Sequence, residues 1–147
     1  MMLLVLERTF VVRTSAEQAW AHLQNVEEWP SWARHIRRIT LNPRGPLTAK
    51  SEGVIYLTNG LRSTFRMEEI NPICNWRWGG SFLWLAVHYD HRFEPLSKED
   101  SKITFTIDVE GFGAAIFGRV FAAIYAVSLD RAIPMLVKEL ESGEIRG

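Results

Sequence analysis

The sequence predicts an α+β domain in which a strongly bent, seven-stranded antiparallel sheet wraps around a long C-terminal helix. Apolar and polar residues alternate with a period of two over most of residues 36–109, which is typical of half-buried strands. After Gly111 the apolar period changes to 3.6 and continues to about Glu141, which indicates a long helix. The 147 residues, 47% of them hydrophobic, fit a single domain over residues 1–147.

A first strand and two short helices are predicted ahead of the main run of strands. The apolar run at residues 3–12 predicts the strand. Ser15 followed by Gln18 has the spacing of a capping box, which predicts a helix N-terminus. Asn25 and Glu28 repeat that spacing, so we expect a second short helical segment directly after the first.

Six further strands are predicted from the turn residues that interrupt the alternating region. The clearest strand has Ile103, Phe105, Ile107 and Val109 on one face and polar residues on the other. Asn59 and Gly60 form the best signal for a two-residue hairpin. The turns are predicted at Gly45-Pro46, Asn59-Gly60, Asn71-Pro72, Gly79-Gly80-Ser81 and Ser97-Lys98-Glu99-Asp100.

The C-terminal helix is predicted to end at Gly143 and to bend at Pro134, which cannot donate to the carbonyl of Asp130. Its first half is apolar nearly all round, so most of its surface should be covered. The stripe expected to face outward consists of Arg119, Ala122, Ala123, Ala126 and Asp130. The face expected to line the interior consists of Phe117, Phe121 and Tyr125, widened by Val120, Ile124 and Val127.

Composition excludes several functional classes. Lys and Arg number 17, as do Asp and Glu, so no net positive charge favours nucleic acid. The single cysteine, Cys74, cannot form an internal disulfide. The apolar stretch at residues 114–129 is interrupted by Arg119, so we expect no stable membrane insertion. The apolar start at residues 2–6 is too short for a signal sequence, and we expect a cytoplasmic protein.

The alternation predicts an interior rich in aromatic rings, with Ser63, Tyr89 and His91 as inward polar groups. In the strand that follows Asn59-Gly60, every second residue from Leu61 onward is expected to face inward. In the next strand, every second residue from Cys74 onward should face inward, and Asn75 should face solvent. Apolar walls with a few polar groups are typical of ligand pockets. The expected ligand-binding residues are Ser63, Phe65, Met67, Trp76, Trp78, Tyr89, His91, Phe93, Phe105, Phe117, Phe121 and Tyr125.

Tyr89 and His91 are the candidates for catalysis, because they lie two residues apart on one face of a strand. The alternative is a core histidine whose ring nitrogen is hydrogen-bonded to a neighbouring tyrosine or carbonyl. His88 and His91 point to opposite faces of their strand and cannot share a metal ion. No metal site, nucleotide motif or cofactor is implied by the sequence.

The order of elements and five motifs resemble the START-like superfamily, also called SRPBCC, and its polyketide cyclase/dehydrase-like members. The motifs are Ser-Ala-Glu-Gln-Ala-Trp (15–20), Asn-Val-Glu-Glu-Trp-Pro-Ser-Trp (25–32), Glu-Ile-Asn-Pro (69–72), His-Arg-Phe-Glu-Pro (91–95) and Phe-Gly-Arg (117–119). The resemblance implies a helix-grip fold with a deep cavity between the sheet and the C-terminal helix. Its members bind lipids, sterols, polyketides or plant hormones, and a minority cyclise polyketides.

Three functions remain open at this stage. The leading hypothesis is a carrier or sensor for an apolar small molecule, and the second is a polyketide cyclase or dehydratase acting through His91 and Tyr89. The third is a non-enzymatic interaction module, and a homodimer is possible in any of these cases. Glu69 and Ile36 align with the arginine and tyrosine that the superfamily's aromatase/cyclases place in the pocket, so those two side chains are not retained.

Overall fold

The computed structural model describes the backbone of residues 2–146 and the side chains of residues 2–142. The strands and helices follow one another in the predicted order, except that a short π-helical turn precedes the C-terminal helix. The predicted turn at Gly79-Gly80-Ser81 was wrong, because these residues lie within a strand that continues to Phe82. The elements are β1 (Leu3–Val12), α1 (Ala16–Leu23), a 3₁₀ helix (Val26–Ser31), β2 (Ile36–Asn42), β3 (Glu52–Leu57), β4 (Arg62–Asn71), β5 (Asn75–Phe82), β6 (Leu85–Pro95), β7 (Ser101–Glu110), a π-helical turn (Ala114–Gly118) and α2 (Arg119–Arg146).

All seven strands form one antiparallel sheet, as predicted, in the order β1-β7-β6-β5-β4-β3-β2. The strands from β2 to β7 are joined by successive hairpins, whereas β1 pairs with the last strand. Register shifts lie between Leu4 and Leu6, between Ile36 and Arg38, and between Met67 and Glu69. Such bulges bend a strand and increase its twist, which helps the sheet to curve around the helix.

The two short helices differ in how they begin. Ser15 caps α1 as predicted, because its Oγ accepts a hydrogen bond of 3.1 Å from the backbone N–H of Gln18. Asn25 does not cap the second segment, which is a 3₁₀ helix. Its side-chain Nδ2 instead donates to the carbonyl of Ala21 at 3.2 Å. The predicted second cap was therefore wrong, although the helical segment is present.

The C-terminal helix extends further than the sequence suggested. Its backbone remains helical through Pro134 and past Gly143 to Arg146, so the predicted end at Gly143 was wrong. Gly111 and Gly113, with φ of 132° and 79°, precede the π-helical turn in conformations that side chains rarely adopt. The face of α2 that is buried against the sheet consists of Ala122, Leu129, Ala132, Leu136 and Leu140.

The helix is rotated relative to the predicted orientation. Ala122 is buried although it was expected on the outside, whereas Val120, Ile124 and Val127 are exposed. Gly118 also faces the sheet, where an added Cβ would lie 3.3 Å from Val109 and 3.4 Å from Val5. At the start of the helix, small residues such as Gly118 and Ala122 therefore lie closest to the sheet.

By length and composition alone, the helical segment Ala114–Ser142 could cross a membrane. Its most apolar stretch is only 22% buried. The segment is nevertheless the core helix of the domain, because Leu129, Leu136 and Leu140 on one side of it are buried in the apolar core.

The outer face of the sheet carries a polar network that includes Asn75. This residue was predicted to face solvent, but only 4% of it is exposed. Its Nδ2 donates to Asp90 Oδ1 and to Glu69 Oε2, both at 2.9 Å, and Asn71 donates to its Oδ1 at 2.9 Å. The strands on either side supply the partners that make burial of the amide favourable.

Candidate functional site

The inner face of the sheet holds a cluster of stacked aromatic rings around Trp76 and Trp78. Both indoles are buried, as their alternation predicted. The ring of Trp78 lies 4.4 Å from Phe65 and 5.5 Å from Trp29, centroid to centroid. Trp29 also donates a hydrogen bond of 2.8 Å from Nε1 to the carbonyl of Leu23, which joins the 3₁₀ helix to the end of α1. The cluster is a rigid, filled part of the core.

An internal cavity of about 30 Å³ lies beside this cluster, between the sheet, the 3₁₀ helix and α2. A cavity of this size holds roughly one or two water molecules. Most of its wall is apolar. The lining residues are Trp29, Trp32, Ala33, His35, Ile36, Tyr89, Asp90, His91, Phe105, Thr106, Ile107, Tyr125 and Leu129.

His35, Tyr89 and Tyr125 bring polar groups to this cavity. The ring of Tyr125 lies 6.0 Å from that of His35 and 6.1 Å from that of Tyr89. Burial raises the pKa of Tyr125 to about 12 and raises that of Tyr89 further. Burial also lowers the pKa of His35. All three side chains are therefore uncharged at neutral pH.

His91 lies inside the sheet with its imidazole among the aromatic rings. Its Nδ1 lies 3.2 Å from the carbonyl oxygen of Trp76, close enough to donate a hydrogen bond. Burial lowers the pKa of His91 to about 4, an effect that the Trp76 carbonyl and the Asp90 carboxylate only partly oppose. The ring is neutral at pH 7, and a base with such a low pKa abstracts protons weakly.

Asp90 and Thr106 line the cavity without placing a charge in it. They alternate with the inward residues of β6 and β7, so their side chains point to the outer face. There the carboxylate of Asp90 accepts hydrogen bonds from Asn75 at 2.9 Å and from Arg92 at 2.8 Å. Among the lining residues that the structure describes, none is Lys or Arg.

The structure brings only some of the predicted ligand-binding residues to the cavity. Tyr89, His91, Phe105 and Tyr125 line it. The other residues predicted to bind ligand do not line it; they are Ser63, Phe65, Met67, Trp76, Trp78, Phe93, Phe117 and Phe121. Of these, Phe65, Met67, Trp76, Trp78 and Phe93 are buried in the core.

In two strands, the first residue that was predicted to face inward does not do so. Leu61 and Cys74 are exposed, because each lies in the turn just before its strand begins. Alternation holds only within the hydrogen-bonded part of a strand. Ser63 is half-buried on β4, and Phe117 packs edge-on against Trp84 at 5.1 Å, away from the cavity.

Several cavity residues were missed from the sequence. Trp29 and Trp32 were assigned to a helical segment without a role, and His35 was not among the predicted ligand-binding residues. The signal that could have found them is the cluster of large rings just before β2, since a short helix over the open end of a sheet must turn one face inward. Leu129 was missed because the rotation of α2 was predicted wrongly.

Three partly buried aromatic residues form a patch beside the cavity, which we call the aromatic mouth. We define it by Phe82, Phe121 and Tyr125. Phe121 lies 4.9 Å from Phe82 and stacks on Tyr125 at 5.7 Å, with the ring planes 25° apart. Tyr89 lies 6.1 Å from Tyr125 on the inner side. The rings thus form a contiguous apolar cluster that reaches the cavity wall at Tyr89 and Tyr125.

His88 points to the face of the sheet opposite His91, as their alternation predicted. It lies on the outer face, where Nδ1 is 2.8 Å from Glu68 and Nε2 is 3.0 Å from Glu110. Glu68 also contacts Arg77 at 3.6 Å. Over the described residues, no group of three or more His, Cys, Asp or Glu side chains could hold a metal ion.

Comparison with solved structures identifies the class of fold. The aromatase/cyclase ZhuI from Streptomyces sp. R1128 superimposes with a TM-score of 0.71 at 14% identity, covering 96% of this chain and 94% of that one. A START superfamily protein from Mycobacterium smegmatis gives 0.68 at 16% identity, covering 95% and 98%. The di-domain aromatase/cyclase StfQ of steffimycin biosynthesis gives 0.74 at 13% identity, covering 99% of this chain and 53% of that one.

The fold and its internal cavity define a START-like (SRPBCC) helix-grip domain. The model of the family described as polyketide cyclase/dehydrase and lipid transport matches residues 4–141. The chain therefore belongs to that family. A comparison with curated protein sequences finds no significant match.

The two positions aligned with the aromatase/cyclase pocket residues differ in their surroundings. Ile36 lines the cavity. Glu69 is exposed on the outer face, because the register shift between Met67 and Glu69 turns it away from the interior. Its carboxylate instead accepts hydrogen bonds from Asn71 and Asn75.

Proposed function

We propose that this chain is a carrier or sensor that binds an uncharged, apolar small molecule in the cavity between the sheet and α2. The observation that carries the proposal is the cavity wall: aromatic and aliphatic residues surround a few neutral polar groups. Family membership supports binding of an apolar ligand in general. We retain the expectation that the protein acts in the cytoplasm as part of this proposal.

The polar groups of the wall favour a ligand with a carbonyl or hydroxyl end. The phenols of Tyr89 and Tyr125 are donors that stay protonated at neutral pH, and His35 is neutral. A carboxylate or phosphate entering this wall would lose its hydration without meeting a lining cation, which is costly. A neutral oxygen needs only one hydrogen-bond donor.

Binding requires the cavity to enlarge, because about 30 Å³ does not hold a ring system. The wall best placed to move is the first half of α2, which supplies Tyr125 and Leu129. Gly111 and Gly113 precede it at positive φ, and a π-helical turn follows them. Displacement of Phe121 and Tyr125 would open the aromatic mouth directly into the cavity.

A cyclase or dehydratase is the second candidate, and the position of Tyr89 beside His91 supports it. Both line the cavity, so one bound molecule can touch both. Such an enzyme must remove a proton beside a carbonyl and donate one to the carbonyl oxygen. His91 would be a weak base, with its pKa near 4, and this makes binding without turnover the better-supported function.

The test compares two fluorescent probes of similar ring size. We expect an acylnaphthalene ketone to bind at least tenfold more tightly than anilinonaphthalene sulfonate, because the sulfonate buries a charge. Mass spectrometry of the protein purified without denaturation should also detect a co-purified neutral compound. Tighter binding of the sulfonate would contradict a cavity for uncharged ligands.

Two wall variants locate the probe. Ala33→Leu places a larger side chain in the cavity and should weaken ketone binding, whereas Leu129→Ala enlarges the cavity and should strengthen it. Ala123→Leu is the matched control, because Ala123 is exposed on α2. Circular dichroism checks that each variant is folded. If neither wall variant changes the affinity while the probe still binds, the ligand lies elsewhere.

A further inference from the structure

The surface around the start of α2 exposes large apolar side chains that neither the core nor the cavity uses. Ile116, Val120 and Ile124 recur at intervals of four on the outer side of the helical segment, and Ile124 is 66% exposed. We call this surface the apolar face. It consists of Leu83, Trp84, Phe112, Ile116, Val120 and Ile124.

The hairpin tip in the apolar face carries apolar residues at positions where turns usually have polar residues or glycine. Leu83 and Trp84 form the two-residue connection between β5 and β6, and Leu83 has φ of 57°. Such positions favour Asn, Asp or Gly, and a branched side chain there costs energy. The tip nevertheless carries a leucine and a tryptophan that are 62% and 57% exposed. Both side chains therefore leave much of their apolar surface in contact with solvent.

The tip and the helix start are fixed to each other. The indole Nε1 of Trp84 donates a hydrogen bond of 2.7 Å to the carbonyl oxygen of Phe112. Phe117 packs edge-on against Trp84 at 5.1 Å. Phe112 itself is 89% exposed. The indole of Trp84 is thus held against the backbone at the start of the helix, while the ring of Phe112 projects into solvent.

Charge distinguishes the possible occupants of the apolar face. From Gly111 to Leu129 the sequence contains no acidic residue, and Arg119 is its single charged residue. In a symmetric dimer through this face, Arg119 would be buried against apolar groups with no carboxylate of the face to pair with it, which is unfavourable. At a lipid surface, the same arginine can extend to phosphate groups while its neighbours contact acyl chains.

The helix is suited to lie on a membrane and not to cross it. Its opposite side, with Ala122 and Leu129, is buried in the domain. The exposed stripe from Ile116 to Val127 is about 16 Å long, at 1.5 Å per residue. Apolar and aromatic groups on one side with a flanking cation are typical of segments that bind in the interfacial plane of a bilayer.

We propose that the apolar face docks the protein on the surface of an anionic lipid bilayer, with Trp84 and Phe112 inserted among the headgroups. The face adjoins the aromatic mouth, because Phe82 directly precedes the tip and contacts Phe121 at 4.9 Å. An apolar molecule could then pass between the bilayer and the cavity without crossing water. The docking surface itself consists of exposed residues and does not depend on what the cavity binds.

The test is flotation with vesicles of phosphatidylcholine alone or of equimolar phosphatidylcholine and phosphatidylglycerol. The wild type should float with the anionic vesicles, and Ile124→Glu should lower its partitioning by roughly tenfold or more. Leu61→Glu is the matched control: Leu61 is 64% exposed on the β3–β4 turn, and its substitution adds the same charge. It should bind like the wild type.

A second pair of variants tests whether Arg119 contributes to binding of anionic vesicles. Arg119→Gln should weaken binding to anionic vesicles by about fivefold and leave binding to neutral vesicles little changed. Arg62→Gln, at an exposed arginine of β4, should have a small effect. Equal loss in both arginine variants would indicate a general charge effect and would contradict a defined docking face.

Two results would overturn the proposal outright. One is wild-type protein that fails to float with either kind of vesicle. The other is a dimer, measured by sedimentation velocity, that Ile124→Glu dissociates while no vesicle binding is seen; the face would then belong to a second copy. Thermal melting of Ile124→Glu should match that of Leu61→Glu, since both residues are exposed.

Discussion

The imidazole of His91 stacks on the indole of Trp76, with the ring centroids 4.6 Å apart and the ring planes 20° apart. The same imidazole has its Nδ1 3.2 Å from the carbonyl oxygen of Trp76. Trp76 thus contacts His91 through both its side chain and its backbone. A ring packed in this way is held in one orientation and one tautomer, and it is poorly placed to accept a second proton.

His91 makes the stability of the fold depend on pH in the acidic range. Burial lowers the pKa of His91 from 6.5 to about 4. Between these two pH values, His91 binds a proton in the unfolded chain but not in the folded chain. The free energy of unfolding should be constant above about pH 6.5 and fall by about 3 kcal/mol as the pH drops to about 4. Burial lowers the pKa of His35 as well, which adds a contribution of the same sign.

His91→Phe measures this contribution. The variant keeps a ring of similar shape but cannot titrate, so its stability should fall less steeply below pH 6.5. Urea unfolding at a series of pH values gives both profiles. Parallel profiles for the wild type and His91→Phe would show that His91 is not buried in its neutral form.

Trp78 is expected to be a major determinant of stability. Only 2% of it is exposed, and it contacts Phe65, Trp29 and Trp76. Trp78→Ala should cost about 3–5 kcal/mol because it leaves a large void in the aromatic cluster. Trp84→Ala removes the same side chain from an exposed site and should cost about 1 kcal/mol. Denaturant unfolding that gave equal losses for the two would contradict the described core.

Asn75 should stabilise the outer face of the sheet through its buried amide. Asn75→Ala removes the donor that bridges Asp90 and Glu69, and Asp90 is itself buried. The loss should be about 1–3 kcal/mol, because a buried carboxylate keeps fewer partners. Asn25→Ala, which breaks a single exposed hydrogen bond to Ala21, should cost less than about 1 kcal/mol. Chemical denaturation of both variants tests the difference.

The strands and their inward faces could be predicted because a period of two depends on neighbouring residues alone. Tyr89, His91, Phe105 and Ile107 all face inward as their alternation indicated. The prediction failed where a non-local contact decides. Asn75 was predicted to face solvent, but it is buried because Asp90 of the next strand accepts a hydrogen bond from its amide.

The rotation of α2 could not be read from its apolar residues. Phe121 and Ile124 are both hydrophobic, yet only Phe121 packs against the core. Small residues at the helix start face the sheet instead: Gly118 lies close to Val5 and Val109, and Ala122 is buried. On this helix, the sequence identified Tyr125 as a lining residue of the cavity but missed Leu129. It also missed His35, which precedes β2.

The most direct test of the proposed function is the dissociation constant of the acylnaphthalene ketone for Tyr125→Phe. This variant removes only the phenol oxygen of a side chain that lines the cavity. We expect affinity to fall by about five- to tenfold through loss of one hydrogen bond, while Tyr56→Phe on β3 binds like the wild type. Unchanged affinity in Tyr125→Phe, with the probe still bound, would contradict recognition of a neutral polar end by this cavity.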